Sequence, residues 1–332
     1  MSITLALAPM AGITDKVFRR LCFEMGCFAA TTEMVSAQGF LTAPRDRNAY
    51  RFLLERFPEE GDLAVQLFGS DPVFLARAAA ELEAMGRYTG IDLNMGCPAH
   101  KVASSGEGAG MMLTPDKAWR MMEKTVKAVD LPVSAKMRTG WDEARIDVIE
   151  YALMAQEAGI REITIHGRTR TQQYAGQADW EIIREVKRRV AIPVIGNGDL
   201  TDAKTALERI ADGYADEVMI GRGAMGNPWI FRDCRRIENG EEPEPVAPEE
   251  RRRVIRMHYE RMLASRPQHV AVREMRKFIA WYLHGMRGAS RIRVEINRIN
   301  DPGEALGLLE QFFAGTGLRD ETGPWSGESP EN

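Results

Sequence analysis

The chain has 332 residues, 44% of them hydrophobic and 28% charged, with a formal net charge of −4. That length suits a β/α barrel of ~250 residues with a smaller appendage, and a core of this size needs no disulfide staples. The four cysteines, Cys22, Cys27, Cys97 and Cys234, form no CxxC pair, which argues against a zinc ribbon or a thioredoxin-like motif and for a reducing, cytoplasmic setting.

The chain opens MSITLALAPMAGITD. Its apolar run is short and lacks a basic flank, so it makes a poor signal peptide, and no later segment reaches the ~18 apolar residues of a membrane span. β-rich runs follow at Leu5–Ala8, Ala29–Met34, Leu63–Leu67, Gly90–Asn94, Val133–Lys136, Glu162–His166, Pro193–Gly196 and Glu217–Ile220. Between them, Pro72–Met85, Pro115–Val129, Asp147–Ala158 and Trp180–Val190 carry helical apolar spacing. This alternation predicts parallel strands with helical crossovers. Eight of them point to an α/β fold, a (β/α)8 TIM barrel over residues 1–238, although periodicity alone also admits an open doubly wound sheet. Residues 239–248, NGEEPEPVAP, read as a linker. Residues 249–316 read as a small all-helical C-terminal domain, and 317–332 as a disordered acidic tail.

The mild net charge hides an asymmetry. Residues 251–298 hold twelve Arg and one Lys against Glu260, Glu274 and Glu295, a net +10. A basic module on an acidic body is the pattern of a protein that meets a polyanion.

In a β/α barrel the functional groups lie where the strands end. Asn197-Gly198-Asp199 and Gly221-Arg222-Gly223, after the seventh and eighth strands, place small residues where backbone N–H groups can approach an anion, with Arg222 as charged partner. That is the usual phosphate position of barrel cofactors. Lys136 and Gln66 point to a flavin ring: a reduced isoalloxazine gains negative charge that a lysine stabilises, and an amide such as Gln66 or Asn94 pairs with the polar edge. Cys97, in a Gly-Cys-Pro turn after the fourth strand, carries a thiol that is mostly protonated at neutral pH and can donate its proton. His166 faces the same cavity as a cofactor or substrate contact, and Arg168 suits a nucleic-acid phosphate. No metal-ligand spacing appears, no GxGxxG follows the first strand, and no coiled-coil seam suggests anything beyond a monomer.

In order and spacing, APMAGITD (8–15), DLNMGCPAHKV (92–102), KMRTGW (136–141), ITIHGRTR (163–170), VIGNGDLTD (194–202) and MIGRGAMGNPWIF (219–231) resemble the tRNA-dihydrouridine synthase family, most closely its bacterial B-type branch. The resemblance implies a barrel that binds FMN and a helical domain that binds tRNA. It implies FMN contacts from Pro9, Met10, Ala11, Gln66, Lys136, His166, Asn197, Gly198, Asp199, Gly221 and Arg222. Asn94 and Arg138 match motif positions near flavin and substrate. It further implies NADPH as reductant, hydride from the reduced flavin to C6 of a uridine, and a proton from Cys97 to C5. Candidate tRNA contacts on the helical domain are Arg273, Arg276, Lys277, Arg287, Arg291 and Arg293. A small-molecule FMN oxidoreductase of dihydropyrimidine or dihydroorotate type shares the barrel and the flavin, but has no need of the basic helical domain.

Overall fold

A computed structural model describes residues 4–43 and 50–315. The barrel strands are β1 (Leu5–Leu7), β2 (Ala29–Thr31), β3 (Asp62–Phe68), β4 (Gly90–Met95), β5 (Val133–Arg138), β6 (Glu162–His166), β7 (Val194–Asn197) and β8 (Glu217–Ile220). Each pairs in parallel with its successor, and β8 returns to β1 through Leu5↔Val218 and Leu7↔Ile220. That last pairing closes the sheet and excludes the open alternative. The expected tail lies outside the described residues.

Burial on both faces explains the apolar strand runs. Leu5 and Leu7 join the large core between strands and helices, whereas Ala6 and Ala8 form a small cluster with Ile195 and Met219. The second strand ends sooner than its apolar run predicts. Thr32 leaves the ladder and accepts from Gln66 N through its own hydroxyl at 3.1 Å, and pairing resumes only at Val35–Ser36, opposite Leu67–Phe68. The fifth strand runs on to Arg138, and a hairpin that the sequence does not announce, Gly140–Asp142 with Arg145–Ile146, follows it.

The barrel helices are α1 (Lys16–Glu24), α2 (Ala37–Thr42), α3 (Pro72–Ala84), α4 (Pro115–Ala128), α5 (Val148–Glu157), α6 (Trp180–Arg189), α7 (Ala203–Ala211) and α8 (Trp229–Glu238). Asp15, Asp71, Asp179 and Asp202 each accept backbone N–H bonds at the start of α1, α3, α6 and α7. These aspartates supply the partner that the first helical turn lacks. Beyond an extended stretch come α9 (Pro248–Ser265), α10 (Gln268–Tyr282), α11 (Ala289–Ile296) and α12 (Pro302–Gly315). This helical region sits against α1, where Phe18 meets His258 and Phe278 with ring centroids at 6.0 and 5.5 Å. Arg261 pairs with Glu24 at 2.8 Å, and Arg266 with Asp15 at 3.5 Å.

Candidate active site

A cavity of about 1320 Å³ opens at the C-terminal ends of the strands. Strand alternation decides what lines it, because every second side chain points inward. Gln66, Asn94, Lys136, His166 and Asn197 all reach it, and so do Pro9, Met10 and Ala11 from the loop after β1. That loop is pinned from two sides: Gly12 N donates to the Glu33 carboxylate, and Lys277 Nζ, from α10, donates to Gly12 O.

One wall gathers Lys136, Asn197, Gly198, Gly221 and Arg222. Lys136 Nζ donates to Asn197 Oδ1 at 3.0 Å, and Asn197 Nδ2 donates to Met219 O at 2.6 Å. Burial, reinforced by Arg138, pushes the Lys136 ammonium down to about 7. Beside it, Gly198 has φ +127° and Asp199 φ +53°. A Cβ on Gly198 would lie 2.6 Å from that of Ala178, so no larger residue fits. Gly221 and Arg222 complete the wall, with Arg222 Nη2 3.4 Å from Asp199 Oδ1. His166 is held well below its ordinary pKa, first by burial and then by Arg138, Lys136, Arg168 and Arg222, so it is a neutral imidazole here.

The Cys97 turn follows the neighbouring strand, where Asn94 is the register partner of Lys136. Asn94 Oδ1 accepts from Gly96 N at 3.2 Å and from Cys97 N at 2.9 Å, and Arg138 Nε donates to Gly96 O at 2.9 Å. Burial raises the Cys97 pKa, so the half-buried thiol keeps its proton at neutral pH. Cys22, Cys27 and Cys234 are buried away from the cavity.

Two of the candidate substrate arginines are also tied into the fold. Arg168 is only 2% exposed. Its guanidinium donates to Ala175 O at 3.0 Å and Gly176 O at 2.6 Å, and pairs with Asp199 at 2.8 Å. These bonds hold the loop after β6, and Arg168 also lines the cavity. Arg276, expected as an RNA contact, donates to Ile299 O and Asn300 Oδ1 and so ties α10 to the turn before α12. Arg273, Arg287, Arg291 and Arg293 are exposed and do not line the cavity, whereas Lys277 does.

Sequence reasoning missed Tyr174. It is 54% exposed at the cavity mouth, with the guanidinium carbons of Arg138 and Arg222 at 5.7 and 4.8 Å from its ring centroid. The one signal for it is an aromatic residue within the polar loop QQYAGQ after β6. Asp92 and Ser134 were missed as well, since a strand interior gives no cue to a hydrogen-bonded polar pair.

The profile of the dihydrouridine synthase family matches residues 6–315. The chain belongs to the dihydrouridine synthase family. The match spans both the barrel of this synthase and its helical region. Among curated relatives, tRNA-dihydrouridine synthase B of Klebsiella pneumoniae is 39% identical over 93% of this chain and 95% of its own. A probable tRNA-dihydrouridine synthase of Rhodobacter capsulatus is 40% identical over 93% and 94%, and one of Rickettsia conorii 38% identical over 94% of each. The B-type branch expected from the sequence is thereby supported. Two solved structures share the barrel: histamine dehydrogenase from Rhizobium sp. 4-9 (TM-score 0.56, 12% identity, 72% of this chain and 46% of that one) and 2-naphthoyl-CoA reductase (TM-score 0.57, 11%, 71% and 50%). The synthase spans about half the length of those two, and the likeness shows the fold alone. Among the described residues of the synthase no helix is long and apolar enough to cross a membrane, and no group of His, Cys, Asp and Glu is arranged to hold a metal ion.

Proposed function

We propose that this synthase reduces the C5=C6 bond of specific uridines in tRNA to 5,6-dihydrouridine in the cytoplasm, with FMN as its cofactor and NADPH as reductant. The observation that carries this reading is that the Cys97 thiol, Lys136 and Arg222 line one cavity of about 1320 Å³. The residues present fit a flavin mononucleotide. Gly221 leaves room for a phosphate beside Arg222, and Lys136 offers its charge to the edge of the ring that becomes anionic on reduction.

The bound flavin supplies the hydride that reaches C6 of the uracil. The chain's own residues do the rest. Cys97 gives its Sγ proton to C5 and the turn keeps it in place. Neutral His166 donates or accepts one hydrogen bond without adding charge. Arg138 stands between the Cys97 turn and Tyr174, within reach of a base drawn out of the RNA fold. Flipping a base needs a grip on the surrounding phosphates, which the exposed arginines of α10 and α11 offer.

The decisive experiment supplies purified protein with FMN, NADPH and tRNA lacking dihydrouridine, and reads nucleosides by mass spectrometry. Dihydrouridine at defined positions is expected, with no reduction of free uracil or orotate. Reduction of a free pyrimidine instead would overturn the RNA assignment. In the Cys97→Ala variant, flavin binding and NADPH oxidation should persist, while product forms about 10²–10⁴-fold more slowly, the usual worth of a general acid.

A further inference from the structure

Beneath the cavity floor, a chain of hydrogen bonds crosses three barrel strands and ends at the Cys97 turn. Ser134 Oγ, on β5, donates to Asp92 Oδ1 at 2.6 Å. Gln66 Nε2, on β3, donates to Asp92 Oδ2 at 2.7 Å. Asn94 Nδ2, on β4, donates to Gln66 Oε1 at 2.7 Å. Asn94 Oδ1 then takes the two backbone N–H groups of Gly96 and Cys97. Cross-strand register builds the chain, since Gln66 lies opposite Asp92 and Asp92 opposite Ser134.

An amide side chain has one donating and one accepting end, and either can face either way. Here both ends of the chain remove that freedom. Backbone N–H groups can only donate, so Asn94 must turn its oxygen to the Cys97 turn and its nitrogen to Gln66. Gln66 must then show Asn94 its oxygen and Asp92 its nitrogen. The arrangement is stable only because Asp92 has an oxygen to offer. Asp92 and Gln66 are both buried, so a donor left unpaired here would carry its full desolvation penalty.

We propose that Asp92 is a positioning residue of the synthase: by fixing the direction of the Gln66 and Asn94 amides, it holds the Gly96–Cys97 turn and with it the Cys97 thiol. The meaning of that thiol for catalysis rests on the function proposed above, but its placement by Asp92 does not.

A pair of substitutions can reverse the relay, and that supplies the test. In Asn94→Asp, two carboxylates flank Gln66, whose amide can satisfy only one of them. The second substitution of the pair Asp92→Asn/Asn94→Asp restores every bond with the opposite polarity. Gln66 turns over, the new carboxylate at position 94 still accepts from the Cys97 turn, and the new amide at position 92 donates to Gln66 while accepting from Ser134. The readout is the alkylation rate of Cys97 by iodoacetamide at about pH 8.5, the ordinary thiol range, in the whole protein, where the other three cysteines are buried. Asn94→Asp is expected to loosen the turn and speed alkylation about tenfold, and the double variant to return within about threefold of the natural rate, a coupling of the size seen between contacting polar groups. Equal rates in the single and double variants would overturn the proposal, since general loosening of the fold is not undone by a second mutation. Should Asn94→Asp not fold, Asp92→Leu removes the acceptor outright and must also speed alkylation; an unchanged rate there refutes the relay. Alkylation needs neither flavin nor RNA. A protein that makes no dihydrouridine but shows the reversal would lose its proposed reaction and keep the relay.

Discussion

Lys136 sits where its surroundings work against its charge. Burial is the larger cause, Arg138 adds to it, and Asp92 offsets part of the effect, leaving the ammonium at about 7. An anionic cofactor beside it favours the charged form and raises that value again, so binding takes up a proton. The sign follows: FMN affinity is highest below pH 7 and falls as pH rises through 7, by about tenfold per unit while the bound form stays protonated. Flavin fluorescence quenching between about pH 7 and 9, above the second ionisation of the phosphate near 6, would read this. Lys136→Met should bind weakly and show no slope across that range, and a flat profile for the natural protein would remove Lys136 from the flavin site. At this scale, strand-end position pointed to Lys136, Gln66 and Cys97, because alternation fixes which side chains enter a barrel. The same reasoning did not foresee the partners of Arg168. The strand says where its Cα lies, but the neighbouring loop decides that the guanidinium turns under Ala175 and Gly176 to Asp199.

At the scale of elements, the helices beginning near Pro72, Pro115, Asp147 and Trp180 were legible from their apolar spacing, whereas the starts capped by Asp15 and Asp202 were not. The break after Thr31 was not, since it turns on the Thr32 hydroxyl replacing a ladder bond. Nor was Arg19 on α1, which is fully buried and pairs with Glu60 at 2.6 Å while its other donors reach Thr14 O and Glu55 O. Removing one partner strands the other's charge, so Glu60→Ala should lower stability by roughly 3–5 kcal/mol in urea unfolding. A cost under ~1 kcal/mol, the value of a surface pair, would show that water reaches Arg19. The far end of the barrel behaves differently. Glu162 on β6 is pushed up to about 7, mainly by burial and then by Glu217, Asp92 and Asp62. The folded state therefore holds a proton that the unfolded chain releases near ~4.3. Stability from this group is complete below that value and is lost as pH rises to about 7. Glu162→Gln should melt above the natural protein at pH 8 and close to it at pH 4.5; a gain equal at both would point to packing instead of charge.

For the molecule as a whole, the +10 stretch suggested a surface for a polyanion, but the fold uses part of that charge internally. Arg261 and Arg266 are bolted to Glu24 and Asp15 on the barrel, Arg252 and Arg256 meet Glu310 on α12, and Arg276 holds a turn. Lys277 joins the helical region to the loop after β1 through Gly12 O, two residues from Met10, which lines the cavity. The charge left facing solvent includes Arg273, Arg287 and Arg293. Sequence cannot separate the two sets, because an arginine's partner lies in an element far along the chain. The division makes a prediction about salt. If the exposed set meets phosphates, the triple variant Arg273→Ala/Arg287→Ala/Arg293→Ala should bind tRNA more weakly. Its slope of log affinity against log salt should also flatten, by roughly 0.7–0.9 for each phosphate no longer neutralised. Arg261→Ala and Arg266→Ala should leave the slope unchanged and instead lower the melting temperature, because those charges are already neutralised by the barrel. Fluorescence anisotropy over a series of salt concentrations, with a melt of each variant, separates the two sets. An unchanged slope in the triple variant would move the RNA footprint off α10 and α11 towards the cavity rim, where Lys277 and Arg222 supply the remaining positive charge.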